Sequence, residues 1–272
     1  MANNPIPAVV GDLGDTISVM HRFDKPQLIF LNTSDILNGH VLHRDYSPVS
    51  EWPGQAKKSI KRGDILFSEM RPVNGRYAFV DFDADDHVAS TKLMVIRAKP
   101  DRVLPRFLYH FLTSRRVTDW LQHLAESRSG TFPQITFDQV AAFELFLPSP
   151  DEQELISGVL DALNDKIEQS RRTSAALEQL ARSMFRAWFV EFEPVKVKAA
   201  GATSFPSMAQ NVFDPLPNRL VNSELGPMPE GWQFGKPGDI AQEKRVTVDP
   251  PEVEETTPYI GLEHMPRRCI AL

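Results

Sequence analysis

Residues 149–194 read SPDEQELISGVLDALNDKIEQSRRTSAALEQLARSMFRAWFVEFEP, a single long helical pattern. Ser149-Pro150-Asp151-Glu152 forms a capping box. Proline occupies the first helical position, and acids sit where the helix dipole is positive. Behind it an apolar or small residue recurs at steps of four and three: Ile156, Leu160, Leu163, Ile167, Ser170, Ser174, Leu177, Ala181, Met184 and Trp188. That is a coiled-coil seam kept for about five heptads. Pro194 is expected to end it. Roughly forty residues at ~1.5 Å each make a rod of about 60 Å, too long to bury its seam on a small domain. The seam therefore predicts a partner helix. Ser170 and Ser174 weaken its middle, which allows close approach or a kink.

Upstream, residues 11–148 read as mixed helix and strand. Residues 27–32 (QLIFLN), 77–82 and 92–97 (KLMVIR) are strand-length apolar runs, and 60–68 (IKRGDILFS) turns at Gly63-Asp64 before another. Pro105 opens an amphipathic helix, with Phe107, Leu108, Phe111, Leu112, Trp120, Leu121 and Leu124 at helical spacing. A polar loop over 126–134 (ESRSGTFPQ) and a last strand over 143–147 (FELFL) complete the domain.

Downstream, Pro194, Pro206, Pro215, Pro217, Pro227 and Pro229 punctuate a linker-like segment, 194–230. Beyond it lies a faint repeat. Gly11-Asp12-Leu13-Gly14-Asp15 resembles Gly235-Lys236-Pro237-Gly238-Asp239, and Leu28-Ile29-Phe30-Leu31 resembles Tyr259-Ile260-Gly261-Leu262. The second copy stops at Leu272 after its opening strands.

That order of parts resembles the specificity subunits of type I restriction-modification systems. Residues 147–201 resemble the family's central conserved region: its opening in Pro150-Asp151-Glu152-Gln153, its Ile-to-Glu run in Ile156 to Glu168 with Asn164 as a variation, and its aromatic exit in Phe185 to Pro194. Residues 222–232 (NSELGPMPEGW) resemble the lead into a second target-recognition domain. Residues 63–68, 88–91 and 135–140 resemble the weaker framework of a first one. The resemblance implies an α+β architecture: a target-recognition domain (1–148), a long spacer helix (149–193), a linker (194–230) and the incomplete start of a second recognition domain (231–272). It implies a non-catalytic chain that recognises double-stranded DNA. Methyltransferase (modification) and restriction subunits would supply the methyl donor chemistry and ATP use, so the chain itself needs no cofactor. Family members carry two complete recognition domains and a second conserved helix. This chain reads as a fragment, a truncation, or a half-subunit that pairs as a homodimer through its helix.

Charge and motifs bound the alternatives. The net charge is −6 and the pI about 5.7, which argues against non-specific nucleic-acid binding over the whole surface. Residues 1–148 carry 17 basic and 17 acidic residues, so the acidic excess lies in the second half. One cysteine, Cys269, excludes an internal disulfide framework. There is no secretory signal and no membrane-length apolar run, so a soluble cytoplasmic protein is expected. Asp249-Pro250-Pro251 approaches a methyltransferase loop, but Glu252 stands where an aromatic must stack on the base. Asp81, Asp83, Asp85 and Asp86 read as a solvated hairpin turn, lacking the lysine of a nuclease site and the spacing of a calcium loop. His40 and His43 have no further ligand to complete a zinc set. No phosphate-binding loop is present. The remaining competitors are an enzyme without these motifs, a coiled-coil interaction protein that does not bind DNA, and an inert truncated subunit.

Candidate DNA contacts come from polar and basic loops. Lys57, Lys58, Lys61 and Arg62 form a run suited to phosphates, or to a solvated face. Arg71, Asn74 and Arg76 lie in a turn (RPVNGR), where arginine can bridge guanine's acceptors and asparagine can pair with adenine. Arg128, Ser129, Thr131 and Gln134 offer similar chemistry before the last strand. The opening Asp151, Glu152 and Gln153 of the long helix have a structural role alone.

Overall fold

The computed structural model describes residues 5–128, 133–245, 247, 258 and 260–261. The chain falls into two compact units, Met1–Lys166 and Ile167–Leu272. In chain order the first holds β1 (Ile6–Val9), the single turn α1 (Val10–Leu13), β2 (Gly14–Thr16), β3 (Gln27–Leu31), β4 (Ile36–Leu37), β5 (His40–Val41) and β6 (Tyr46–Pro48). Then come β7 (Ala56–Ser59), β8 (Asp64–Ser68), β9 (Tyr77–Phe79), β10 (His87–Ser90) and β11 (Leu93–Ala98). Helices α2 (Pro105–Leu112), α3 (Arg115–Arg128) and α4 (Phe137–Ala141), strand β12 (Glu144–Leu147) and the long α5 (Pro150–Phe185) follow.

The strands sort into layers by alternation. One antiparallel sheet has the order β2-β11-β8-β9. A second, β6-β3-β10-β7, is mixed, with β10 parallel to β3. In β8 and β11 successive side chains point to opposite faces. Ile65, Phe67, Met94 and Ile96 join a core with Val10, Leu13, Leu108, Leu112, Leu121 and Val140 of the helices. Leu66, Leu93 and Val95 join a different core with Ile29, Leu31 and Ala89 of the second sheet. Helices, central sheet and second sheet thus stack as three layers, an α+β domain. β1 pairs antiparallel with β12, so the domain's two ends close on each other.

The turn into β8 forms at Gly63, whose φ of +91° suits glycine. Beside it Asp64 is fully buried and holds Arg97 by two bonds, Nε to Oδ1 at 2.6 Å and Nη2 to Oδ2 at 2.8 Å. It also accepts the Lys61 N–H at 2.9 Å. This bidentate pair locks β8 to β11 at the register Asp64↔Arg97.

Helix α5 opens on the expected capping box: the Ser149 N–H donates to Glu152 Oε2 at 2.9 Å. The Ser149 hydroxyl donates to the same oxygen at 2.9 Å, and the two bonds, the N–H one first, hold the Glu152 carboxyl below its usual pKa. The helix meets the domain through polar groups. Gln153, 2% exposed, accepts from Leu104 N–H and donates to Pro148 C=O, both at 2.9 Å. Asp161 takes Arg106 Nε at 2.9 Å and lies 2.7 Å from His110 Nε2.

The second unit continues α5 through a π-helical turn, Arg186–Val190, to Phe192 at φ +53°. Next come α6 (Glu193–Ala199), α7 (Gln210–Phe213), the hairpin of β13 (Leu220–Ser223) and β14 (Gly226–Pro229), and α8 (Pro237–Ile240). Lys198 Nζ donates to the carbonyls of Asp214 and Leu216 at 2.6 and 2.7 Å. Trp232 packs on Phe192 and Phe189, with ring centroids 5.5 and 6.5 Å away.

Several sequence expectations change. The helix opened by Pro105 is two helices, because Thr113-Ser114 interrupts the pattern: the Thr113 hydroxyl turns back to the Tyr109 carbonyl at 2.9 Å. The polar loop begins later than residue 126, since α3 runs to Arg128. Pro194 does not end α5; the left-handed Phe192 does, and Pro194 starts α6, where its missing N–H costs nothing. Residues 194–230 hold short helices and a hairpin rather than plain linker. The acidic turn is no hairpin, since β9 and β10 belong to different sheets. The two repeat copies each hold one helical turn, α1 and α8, in different register. Tyr259, Leu262, Cys269 and Asp249-Pro250-Pro251 lie outside the described residues, and Ile260 is exposed.

Candidate nucleic-acid interface

The two ends of the central sheet differ. At the start of β8 the chain is tied to α5 through Leu104 and Arg106. At its end, loops converge. Glu69 N–H donates to Lys92 C=O at 3.3 Å, and Ile135 N–H to Glu69 C=O at 2.9 Å. Met70 bridges Gln134, and Arg71 N–H reaches Pro133 C=O at 3.2 Å. Thr91 N–H donates to Gln55 C=O at 2.8 Å, which brings in the start of β7.

This end gathers Lys57, Arg71, Asn74 and Gln134, all exposed. Arg71 has a left-handed backbone, φ +45°, uncommon for a residue with a side chain. It caps a short 3-10 turn, Pro72–Asn74, that ends at Gly75. Gly75 has φ +66°, and a side chain there would meet Asn38 Oδ1 at 2.1 Å and force it to move, so both backbone and space favour glycine. The partner loop is an Asn38-Gly39 turn with both φ values positive, joining β4 to β5.

Other candidates serve the fold or sit elsewhere. Arg76 Nη1 is bonded to the carbonyls of Ser34 and Ile36 at 3.2 and 3.1 Å, so it ties the two turns together. Lys57 and Lys58 lie within β7 rather than ahead of a strand. Lys58 is half-buried, donates to Leu93 C=O at 2.7 Å, and burial lowers its pKa. Lys61 and Arg62 sit at the opposite end of β8, about 16 Å away at ~3.3 Å per residue, and Arg62 bonds Asp81 C=O. Ser129, Thr131 and the Arg128 side chain lie outside the described residues. His43 lies 3.2 Å from Asp35. Asp86 accepts Tyr46 OH at 2.8 Å and also Lys25 Nζ. Among the described residues no group of three or more His, Cys, Asp or Glu is placed to hold a metal.

Two residues at this end escaped the sequence reading. Lys92 is exposed at the turn from β10 to β11. Glu69 is half-buried beside the charge of Lys58, and burial raises its pKa. Their signal was positional: each lies one residue outside a buried strand.

The seam of α5 is bare. Leu163, Ile167 and Leu177 are 57, 50 and 60% exposed, and Ile156, Leu160 and Ala181 are exposed too; Met184 and Trp188 are half-buried. The face that meets the domain, Gln153, Ser157 and Asp161, lies about 90° round the helix from that seam at ~100° per residue.

Among the described residues no helix is long and apolar enough to cross a membrane. The family model "Type I restriction modification DNA specificity domain" matches residues 20–179. The chain is 48% identical over 204 residues to the HindI specificity subunit of Haemophilus influenzae, covering 74% of this chain and 44% of that one. It is 28% identical over 141 residues to the MjaIX specificity subunit of Methanocaldococcus jannaschii, covering 52% and 28%. The crystal structure of the HsdS subunit from Thermoanaerobacter tengcongensis superposes with a TM-score of 0.54 at 23% identity, over 75% of this chain and 50% of that one. A chain from a structural study of type I restriction-modification assembly and conformational transition gives 0.55 at 20% identity, over 77% and 52%. Both likenesses concern the fold, which they share with this α+β chain. The chain spans about half the length of these relatives, or less. With the family model covering more than half of it, the chain belongs to the type I restriction-modification DNA specificity family.

Proposed function

We propose that the chain recognises one half of a split DNA target and directs the modification and restriction subunits of its system to it. The observation that carries this is the gathering of Lys57, Arg71, Asn74, Lys92 and Gln134 at the end of the central sheet that does not hold α5. Lysines there neutralise phosphates and set the register, while Arg71, Asn74 and Gln134 have the hydrogen-bonding pattern that reads base edges. The left-handed Arg71 fits this role, since strained backbone concentrates at binding sites. The recognition domain spans residues 1–148, the spacer helix 149–193, a connecting segment 194–230, and the start of a second recognition domain 231–272. The chain is not an enzyme; methyl transfer and ATP-driven cleavage reside in the partner subunits, and it works in the cytoplasm. The exposed seam takes a second helix, from a partner subunit or from a second copy of this chain. Two copies paired by a twofold axis would read an interrupted palindrome.

The test contrasts the two ends of β8 in gel shifts with the full chain at low salt. Joint replacement of Lys57, Arg71 and Lys92 by Gln should weaken binding at least tenfold and flatten the salt dependence by about 0.9 log units per lost phosphate contact. Joint replacement of Lys61 and Arg62 should leave both unchanged. Equal losses from both sets, or none from either, would overturn the assignment.

A further inference from the structure

Glu69 is out of place in a surface built for phosphates. It stands at the junction where Lys92, Ile135 and Arg71 meet, with Lys58 behind it. A carboxylate there repels the DNA backbone, so it weakens binding to every sequence alike. It is half-buried and so has lost part of its hydration, which is costly where no hydrogen bond replaces it. Among the described residues none bonds it. Lys58 lends it an attractive charge but no hydrogen bond among the described residues; its ammonium donates to the Leu93 carbonyl at 2.7 Å. Nor is the position loose. The Glu69 N–H is fixed on Lys92 and its C=O on Ile135, so the side chain springs from backbone held on both sides.

An ionised carboxylate only accepts hydrogen bonds. In the major groove the donors are the exocyclic amino groups, N4 of cytosine and N6 of adenine. Guanine O6 and N7 and thymine O4 present lone pairs that would repel it. We propose that Glu69 is a base-reading residue whose carboxylate accepts from the amino group of a cytosine or adenine and rejects guanine and thymine at that position. This rests on the DNA-recognition reading above. The neighbouring Arg71, Asn74 and Gln134 donate to base acceptors, so Glu69 supplies the complementary acceptor to the same surface. In the free chain this half-exposed carboxylate is left to water, and once DNA displaces that water only a target with an amino group at the right place satisfies it. Specificity arises as much from penalising wrong bases as from favouring the right one.

Selection from a random duplex library with the full chain tests this. Wild type should enrich a motif with cytosine or adenine at one position. Glu69→Gln keeps the shape but can also donate, so preference should fall about tenfold at that position alone, while affinity for random DNA stays level or rises. A motif that is unchanged, or lost at every position together, would overturn the role of Glu69. A second measurement needs no variant. In the wild-type complex, replacing the selected base by its analogue lacking the amino group (purine for adenine, 2-pyrimidinone for cytosine) should weaken binding about tenfold. No loss would equally overturn it. If wild type enriched no motif at all, the DNA-recognition reading itself would fall, an outcome distinct from failure of Glu69.

Discussion

The recognition domain and the long helix solve opposite packing problems with similar residues. In the domain, Leu66, Phe67, Val95 and Ile96 are buried on both faces of one sheet. In α5, Leu163, Ile167 and Leu177 stay exposed, and the side turned to the domain carries Gln153, Ser157 and Asp161 instead. A helix that spends polar groups on its own domain keeps its apolar seam for another helix. Apolar periodicity therefore has two meanings in one chain: an internal core where sheets layer it, an interface where a rod outruns its support.

Two leucines sharpen that contrast most. Leu66→Ala removes a fully buried side chain between the sheets and should destabilise the chain by about 2–5 kcal/mol in urea unfolding. Leu163→Glu, on the bare seam, should change stability by less than ~0.5 kcal/mol yet abolish assembly measured by light scattering or co-purification with modification subunits. Normal assembly by Leu163→Glu would break the comparison, and so would a large loss of stability.

The polar face of α5 comes next. Gln153→Ala leaves the Leu104 N–H and the Pro148 carbonyl without their partner in a buried place. A cost of about 1–3 kcal/mol is expected. Hydrogen exchange should quicken at Leu104 and in the first turns of α5, while β8 and β11 keep their protection. Uniform loss of protection across the domain would show that Gln153 belongs to the core rather than to the joint.

How much of this was legible follows from where information is local. The capping box and the Gly63-Asp64 turn are written in adjacent residues, and each appears in the structure as read. The Asn38-Gly39 hairpin was equally local, and its signal lay beneath the question of whether His40 and His43 bind metal. The break at Thr113-Ser114 was hidden because the apolar spacing continues across it. The end of α5 was misplaced because proline reads as a stop, whereas at the first turn it reads as a start. The candidate site depended on long-range pairing. Lys61 and Arg71 look alike in sequence, and only the direction of β8 puts one beside α5 and the other among the loops. Arg76 and Lys58 looked free because their acceptors, Ser34, Ile36 and Leu93, are remote in sequence.

Acid should separate the two regions by the smallest effect. His87 is 6% exposed in the domain, its ring 4.6 Å from Phe82, and among the described residues neither ring nitrogen has a partner. Burial lowers its pKa from the usual 6.5 and Arg44 adds to this, against the pull of Asp86 and Asp83. The unfolded chain therefore binds a proton more readily than the native one, and stability must fall as pH drops below about 6.5. A single proton limits the slope to about 1.4 kcal/mol per pH unit. At the start of α5 the sign is the same, but its origin is a favoured charge rather than a disfavoured one, and the window shifts. Glu152 has a lowered pKa, so its bonds to Ser149 stabilise the helix above its unfolded value of 4.5 and are lost only in stronger acid. Glu69, raised by burial, gains stability on protonation as pH falls toward its unfolded value of 4.5 and partly masks His87. Subtraction removes that mask. The difference in unfolding free energy between wild type and His87→Phe should rise with pH up to about 6.5 and then flatten. The difference between wild type and Ser149→Ala should stay level from pH 5 to 7.5 and shrink only below 4.5. Parallel pH profiles for wild type and His87→Phe would show that the domain's acid sensitivity lies elsewhere.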